Sequence, residues 1–357
     1  MQVLVRDAYG RPLKSLRILV TAECNYRCFF CHLEGDPLGA PLRPGLKPPL
    51  LSPEDYGVIA EAAYKLGISS FKITGGEPLV RKDIVDIVGS ISSSAPGSDI
   101  SMTTNGFFLD VRARSLADAG LKRVNVSIHS LRRDKYRFIT GVDGLERGVR
   151  GVKVAVESGL RVKINALILK GVNDDEIFDL VEFARNMGAT LQLIELIPVG
   201  LGAKLLESHK FPLAVVEEMF KAMGAKVRWR SLHNRPIYEL PNGALVEVVS
   251  SHGNPIFCAG CDRLRLDASG NLSPCINWRG ERINIVKAIR EAKSRDEAVK
   301  KVMGALLEAN TMRRPYYLYT VKTGRLKPST PSFDIKDLRI RETPKRRLYF
   351  KILETGS

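Results

Sequence analysis

Six short β-rich runs separated by helical patterns occupy the first two thirds of the 357-residue chain. The runs are "LRILVT" (16–21), "SFKIT" (70–74), "DISMTT" (99–104), "RVNVSI" (123–128), "RVKINALIL" (161–169) and "LQLIELI" (191–197). Helical patterns lie at 53–66, 82–93, 110–119, 145–158 and 174–187. Ser52 and Pro53 open the first as N-cap and first helical residue, and the Asn173-Asp174 pair predicts a cap for the last. Strands alternating with helices imply parallel βαβ units, because a parallel pair needs a crossover. The spacing, roughly 25 to 40 residues per unit, suits an α/β fold of the TIM-barrel type, here an incomplete (β/α)6 barrel. A doubly wound open sheet is the alternative. The segments "AEC", "GGEP", "TTNG", "SIHS" and "IPVG" favour the barrel, since each falls just after a strand and so at the C-terminal mouth where barrels bind ligands.

Two segments break the rhythm. Residues 32–52 form a long Pro-rich loop, the kind that serves as a lid or stays disordered. After about residue 225 the βαβ pattern stops, and "IYELPNGALVEVVS" (237–250) predicts a hairpin around Asn242-Gly243. The expected organisation is therefore a partial barrel over 1–224 and a smaller C-terminal domain over 225–357.

The six cysteines fall into two groups of three, Cys24, Cys28, Cys31 and Cys258, Cys261, Cys275. No apolar run is long enough to span a membrane and the N-terminus lacks a signal-peptide pattern, so a cytoplasmic location is expected. In a reducing compartment clustered thiols read as metal ligands rather than disulfides. Three thiolates on a cubane [4Fe–4S] cluster leave one iron open to bind a small molecule. A zinc site completed by His32 is the alternative, disfavoured because a His directly after Cys31 reaches the same metal poorly.

C-x3-C-x2-C after a first strand, with "GGEP" after the second, resembles the radical S-adenosylmethionine (SAM) superfamily. That resemblance implies a cluster on Cys24, Cys28 and Cys31 whose open iron chelates SAM, with an electron from the cluster releasing a 5′-deoxyadenosyl radical. Gly75 and Gly76 let the backbone approach the methionine amino group. The second triad, C-x2-C-x13-C with Arg263 and Arg265 close behind, is similar to the GTP 3′,8-cyclase family, which opens molybdenum cofactor biosynthesis. "KITGGEPLVRKDI", "VNVSIHSL", "VKINALILKGVNDDEI" and "IELIPVG" match that family in order, with good coverage from residue 7 to about 280.

The resemblance implies conversion of GTP to (8S)-3′,8-cyclo-7,8-dihydroguanosine 5′-triphosphate with two [4Fe–4S] clusters and SAM. A reductant, a downstream cyclic pyranopterin synthase and a possible homodimer are the partners it implies. Arg17, Lys72, Thr103, Lys163, Arg263 and Arg265 are expected on GTP, with Arg17, Arg263 and Arg265 also catalytic. Phe30, Gly75, Gly76, Ser127 and Ile197 are expected on SAM. A net charge of +16 agrees with a polyanionic substrate. Arginine forks suit phosphate oxygens. Arg263 and Arg265, two apart on an extended segment, point the same way.

The chain departs from the family at Phe30, where Tyr is common, at Gln192, where a phosphate-facing Arg is common, and at Ile197, where Met is common. His129 stands at an acidic position and reads as a packed or capping residue rather than a proton carrier. Gly356-Ser357 replaces a terminal Gly-Gly that reaches the active site in the family, behind a run from Arg313 to Lys351 with 12 basic and 3 acidic residues. The competing readings are another radical SAM enzyme with one auxiliary cluster, acting on a peptide or nucleotide, and a basic Fe–S protein that binds RNA without catalysis.

Overall fold

The structure, a computed structural model, describes residues 4–33 and 51–316. Most of the Pro-rich loop, the basic run after residue 316 and Gly356-Ser357 lie outside the described residues.

Six parallel strands follow one another in chain order: β1 (Ser15–Leu19), β2 (Ser70–Thr74), β3 (Asp99–Thr104), β4 (Arg123–Ser127), β5 (Arg161–Ile168) and β6 (Thr190–Glu195). The helices between them are α1 (Pro53–Lys65), α2 (Ile84–Ser94), α3 (Leu109–Asp118), α4 (Arg133–Thr140), α5 (Leu145–Glu157) and α6 (Ile177–Asn186). The expected runs hold to within a residue or two at most ends. The β4–β5 crossover carries two helices, and α4 has no counterpart in the sequence reading.

Residues on these strands alternate in character, and this alternation builds the site. Leu16 and Ile18, Phe71 and Ile73, Val124 and Val126, and Leu191 and Leu193 are buried in the hydrophobic core. The residues between them, Arg17, Lys72, Asn125 and Gln192, line an internal cavity. Successive strand residues face opposite sides, so one face packs against helices and the other forms a polar interior. Parallel strands usually read as continuous apolar runs; here the inner face is kept for a ligand.

Ser52 caps α1 as expected. Its hydroxyl accepts from the Asp55 amide and the Asp55 carboxylate accepts from the Ser52 amide, a full capping box with Pro53 at the first helical position. Asn173 does not cap α6. A 3-10 turn, Asp174–Glu176, intervenes, and the Asn173 side chain accepts from the Leu169 amide (2.7 Å) and donates to Leu167 O (2.9 Å) and His129 O (2.5 Å). It ties the end of β5 to the turn after β4.

Beyond β6 come α7 (Leu206–His209), α8 (Ala214–Ala222), β7 (Lys226–Arg230), β8 (Arg235–Glu239) and β9 (Leu245–Val249). They are followed by α9 (Pro255–Ala259), β10 (Arg263–Leu266), β11 (Asn271–Ser273), β12 (Ile283–Asn284), α10 (Val286–Arg290) and α11 (Arg295–Thr311). The predicted hairpin is β8–β9. Among the described residues, the strands after residue 225 build no second sheet. β9 pairs parallel to β6, and β10 pairs parallel to β1, so the C-terminal part extends the barrel sheet at both edges. The resulting twelve-stranded sheet does not close by strand pairing. Its edges are bridged by the turn 232–234 and α9: the His233 amide donates to Gly260 O (2.7 Å) and Asn234 Nδ2 to Ile256 O (2.9 Å).

Arg313 opens the basic run. It is buried, pairs with Asp7 (3.3 Å) beside Arg11, and donates to Cys261 O. No described helix is long and apolar enough to cross a membrane.

Candidate active site

One cavity of about 430 Å³ opens inside the curved sheet and is lined by all six cysteines. The first three lie on the loop after β1. That loop is stitched to the turn after β2: the Gly76 amide donates to Thr21 O (2.8 Å) and the Glu77 amide to Glu23 O (2.7 Å). The glycines of "GGEP" have a reason here that the sequence did not reveal. A Cβ on Gly76 would sit 2.1 Å from Glu23 O, and one on Gly75 would sit 2.6 Å from Thr21 O. The cysteine loop rests directly on them, and both also line the cavity.

Glu77, unassigned from sequence, locks these turns together. Its buried carboxyl accepts from Thr104 Oγ1 (2.6 Å), the Asn105 amide (2.6 Å) and the Leu79 amide (3.0 Å), and burial pushes its pKa up to about 7. Asn105 in turn donates to Asn25 Oδ1 beside Cys24 (2.7 Å). On the opposite side the Leu201 amide donates to Cys31 O (2.9 Å), and Gly200, at φ +60, admits that loop where a Cβ would lie 2.5 Å from it. Three post-strand motifs thus converge on one cysteine loop.

Burial pushes the Cys24 thiol up to about 11 and raises Cys28 further, with Cys31 and Cys24 adding to the Cys28 shift. Thiols that raise one another in an apolar setting are suited to a cationic centre that holds them as thiolates. Among the described residues no group of three or more His, Cys, Asp or Glu side chains is gathered around a point that could hold a single metal ion. A cubane cluster makes no such demand, because its cysteines bind separate irons.

Phe30 packs edge-on against His129, centroids 4.9 Å apart. His129 Nδ1 accepts from the Leu167 amide (3.1 Å), and burial lowers its pKa to about 4. The ring is neutral with its proton on Nε2, a packed acceptor as the sequence suggested. Ser127 and Ile197 line the same end of the chain's strand tips and the same cavity.

Of the second triad, Cys258 lies on α9, Cys261 between α9 and β10, and Cys275 just after β11. Asn254 caps α9 by accepting from the Phe257 amide (3.1 Å). Arg11 donates to Cys258 O (3.0 Å) and Arg313 to Cys261 O, so buried arginines from both ends of the described chain hold this loop.

Between the triads the cavity wall is cationic. Arg17 is flanked in the sheet by Arg265 and Lys72. Lys72 donates to Asn125 Oδ1 (2.7 Å), and Asn125 donates to Asn165 Oδ1 (3.1 Å), a polar ladder across β2, β4 and β5. Burial, with Arg17, Arg123 and Arg263 nearby, lowers the Lys72 pKa. Arg263 is lowered to about 9 by burial and then by Arg17 and Arg265, and its buried Nε has no hydrogen-bond partner among the described residues. Thr103 and Lys163 complete the expected set on the wall. Lys163 ion-pairs with Glu247, which also pairs with Arg235 (2.9 Å) and Arg230 (3.4 Å). Burial works to raise Glu247, but Arg235, Lys163 and Arg230 outweigh it and hold it at about 2. Glu247, Arg230 and Arg235 carry no motif and were not anticipated.

The radical SAM superfamily profile matches residues 18–184, and the profile for the C-terminal region of molybdenum cofactor synthesis proteins, "Molybdenum Cofactor Synthesis C", matches 189–317. The chain is 48% identical over 329 residues to a "Probable GTP 3',8-cyclase" of Aeropyrum pernix, covering 92% of each chain. It is 42% identical to one of Thermococcus kodakarensis, covering 88% of this chain and all of that one. Among solved structures, Streptococcus suis SuiB bound to S-adenosylmethionine is similar with a TM-score of 0.59 at 19% identity, over 80% of this chain and 65% of that one. The structure of anSMEcpe with bound AdoMet gives 0.52 at 15%, over 81% and 84%. At these identities the two likenesses speak for the fold alone.

Proposed function

The chain belongs to the GTP 3′,8-cyclase family of the radical SAM superfamily, and from that premise we propose that it converts GTP to (8S)-3′,8-cyclo-7,8-dihydroguanosine 5′-triphosphate in the first step of molybdenum cofactor biosynthesis. The observation that carries the reading is a single cavity with two cysteine triads and a cationic wall between them. Superfamily membership brings a [4Fe–4S] cluster and SAM. When bound, they supply one-electron cleavage of the sulfonium and a 5′-deoxyadenosyl radical. Cys24, Cys28 and Cys31 hold that cluster, and Phe30, Gly75, Gly76, Ser127 and Ile197 shape the SAM pocket.

Cys258, Cys261 and Cys275 hold a second cluster on the substrate side. Arg17, Lys72, Thr103, Lys163, Arg263 and Arg265 bind and orient GTP. A buried, positively charged wall suits a triphosphate, because arginine forks replace its lost water with charge-assisted hydrogen bonds. A reductant supplies two electrons per turnover, one for sulfonium cleavage and one that, with a proton, completes the new ring, and a cyclic pyranopterin synthase takes the product.

The test is anaerobic incubation of the reconstituted enzyme with SAM, reductant and GTP. The expected outcome is 5′-deoxyadenosine whose formation depends on GTP, together with a nucleotide of unchanged mass and altered retention, since ring closure adds a C–H across a C=N bond. Cys28→Ala abolishes both. SAM cleavage indifferent to GTP, with the nucleotide unaltered, overturns the reading.

A further inference from the structure

The β7–β8 hairpin places two arginines on the cavity wall beside a carboxylate that no motif marks. Arg230 ends β7 and Arg235 begins β8, paired across the hairpin. Between them the chain makes a turn in which His233 and Asn234 adopt left-handed conformations, φ +64 and +47. These are costly for residues with a side chain and persist only where the surroundings enforce them. Here the hydrogen bonds to Gly260 O and Ile256 O enforce them, so the arginines are fixed relative to the second cysteine segment.

Glu247 sits across from the hairpin with its side chain fully buried, and three cations share it: Lys163, Arg230 and Arg235. One carboxylate against three cations leaves positive charge unbalanced in a mostly buried site, which an anion from outside can relieve. Arg235 has one guanidinium nitrogen on Glu247 (2.9 Å) and another on Gln192 Oε1 (3.4 Å), while its Nε–H is buried without a partner among the described residues. Gln192 contributes no charge of its own at this point of the wall, so the guanidinium there comes from the neighbouring hairpin.

We propose that Arg235 and Arg230, oriented by Glu247, are further ligands for the polyphosphate of the substrate, an anion subsite that extends the Arg17, Lys72, Arg263 and Arg265 wall of the same cavity. The subsite rests on the nucleoside triphosphate reading above. Planar guanidinium groups with preset direction suit phosphate oxygens better than the single carboxylate of SAM. Glu247 is a positioning residue: it keeps three like-charged side chains together before the anion arrives.

Equilibrium dialysis of the anaerobically reconstituted enzyme separates the two readings, with GTP, inorganic tripolyphosphate and SAM as probes. Arg235→Gln is expected to weaken GTP and tripolyphosphate by a similar factor of about ten or more while SAM binding stays within about twofold, and Arg235→Lys recovers part of the loss. Arg230→Gln, on a side chain 27% exposed and therefore safe for folding, is expected to weaken both phosphate ligands about threefold. Unchanged tripolyphosphate binding in both variants, or equal loss of SAM binding in both, overturns the subsite. If wild-type enzyme binds tripolyphosphate but not GTP, the nucleotide reading fails and the anion subsite stands.

Discussion

At the residue scale, His129 shows how burial converts a titratable group into a structural one. Its ring accepts a backbone hydrogen bond and packs against Phe30, and burial lowers its pKa from an ordinary 6.5 to about 4. The folded chain therefore resists protonating it more than the unfolded chain does. The stability it contributes is present above pH 6.5 and is lost as pH falls through about 4, an effect on the order of 3 kcal/mol. His129→Gln, which keeps an acceptor but does not titrate, is expected to flatten that part of the curve of unfolding midpoint against pH. A variant curve parallel to wild type between pH 6.5 and 4 would contradict this. Arg263 makes the complementary case, a buried guanidinium with a donor left over. Arg263→Ala is expected to weaken GTP binding by about 1.5–3 kcal/mol, the worth of a charge-assisted contact. SAM binding measured alongside should barely move; a matching loss there would indicate general damage.

At the element scale, the site is built where loops after different strands touch. Gly76 is the clearest example, since its missing side chain is what lets the cysteine loop lie against the turn after β2. In Gly76→Ala the new methyl meets backbone, at Glu23 O and Ala22 O, so the loop must move. The expected result is loss of the first cluster with the proposed second one retained, seen as iron falling from roughly eight to four per chain on a two-cubane count. Full iron content in the variant would show that the loop accommodates the methyl. The start of α1 is a separate, local matter: Ser52→Ala removes one half of the capping box and should cost about 1 kcal/mol in chemical denaturation. SAM cleavage should survive it.

At the scale of the whole molecule, the second cysteine segment is held from both ends of the described chain. Asp7 is buried between Arg11, 2.7 Å away, and Arg313, 3.3 Å away, and these arginines donate to the carbonyls of Cys258 and Cys261. Asp7→Ala leaves two buried cations uncompensated. Breaking such a pair costs about 3–5 kcal/mol. We expect a lowered unfolding midpoint and selective loss of the iron of the proposed second cluster, while 5′-deoxyadenosine production from SAM persists at a reduced rate. Normal iron content with normal stability would mean the clasp is incidental.

The strand–helix alternation, the capped start of α1, the β8–β9 hairpin and both cysteine triads were legible in the sequence because each is a local pattern: a period, a cap, a turn pair, a spacing. Arg17, Lys72 and Arg263 were expected at the substrate through the family resemblance, and alternation added only that Arg263 and Arg265 point the same way; all of them line the cavity. What folding alone decided is contact between residues far apart in the chain. No local rule joins Glu247 to Lys163, 84 residues before it, or Asp7 to Arg313. Nor does any local pattern show that the strands after residue 225 attach to opposite edges of the barrel sheet, because edge pairing depends on which backbone groups the first six strands leave open. The glycines of "GGEP" carry both lessons. Their presence marks a close approach, which sequence can register; the cysteine loop that makes the approach is set by the packing of one post-strand turn on another.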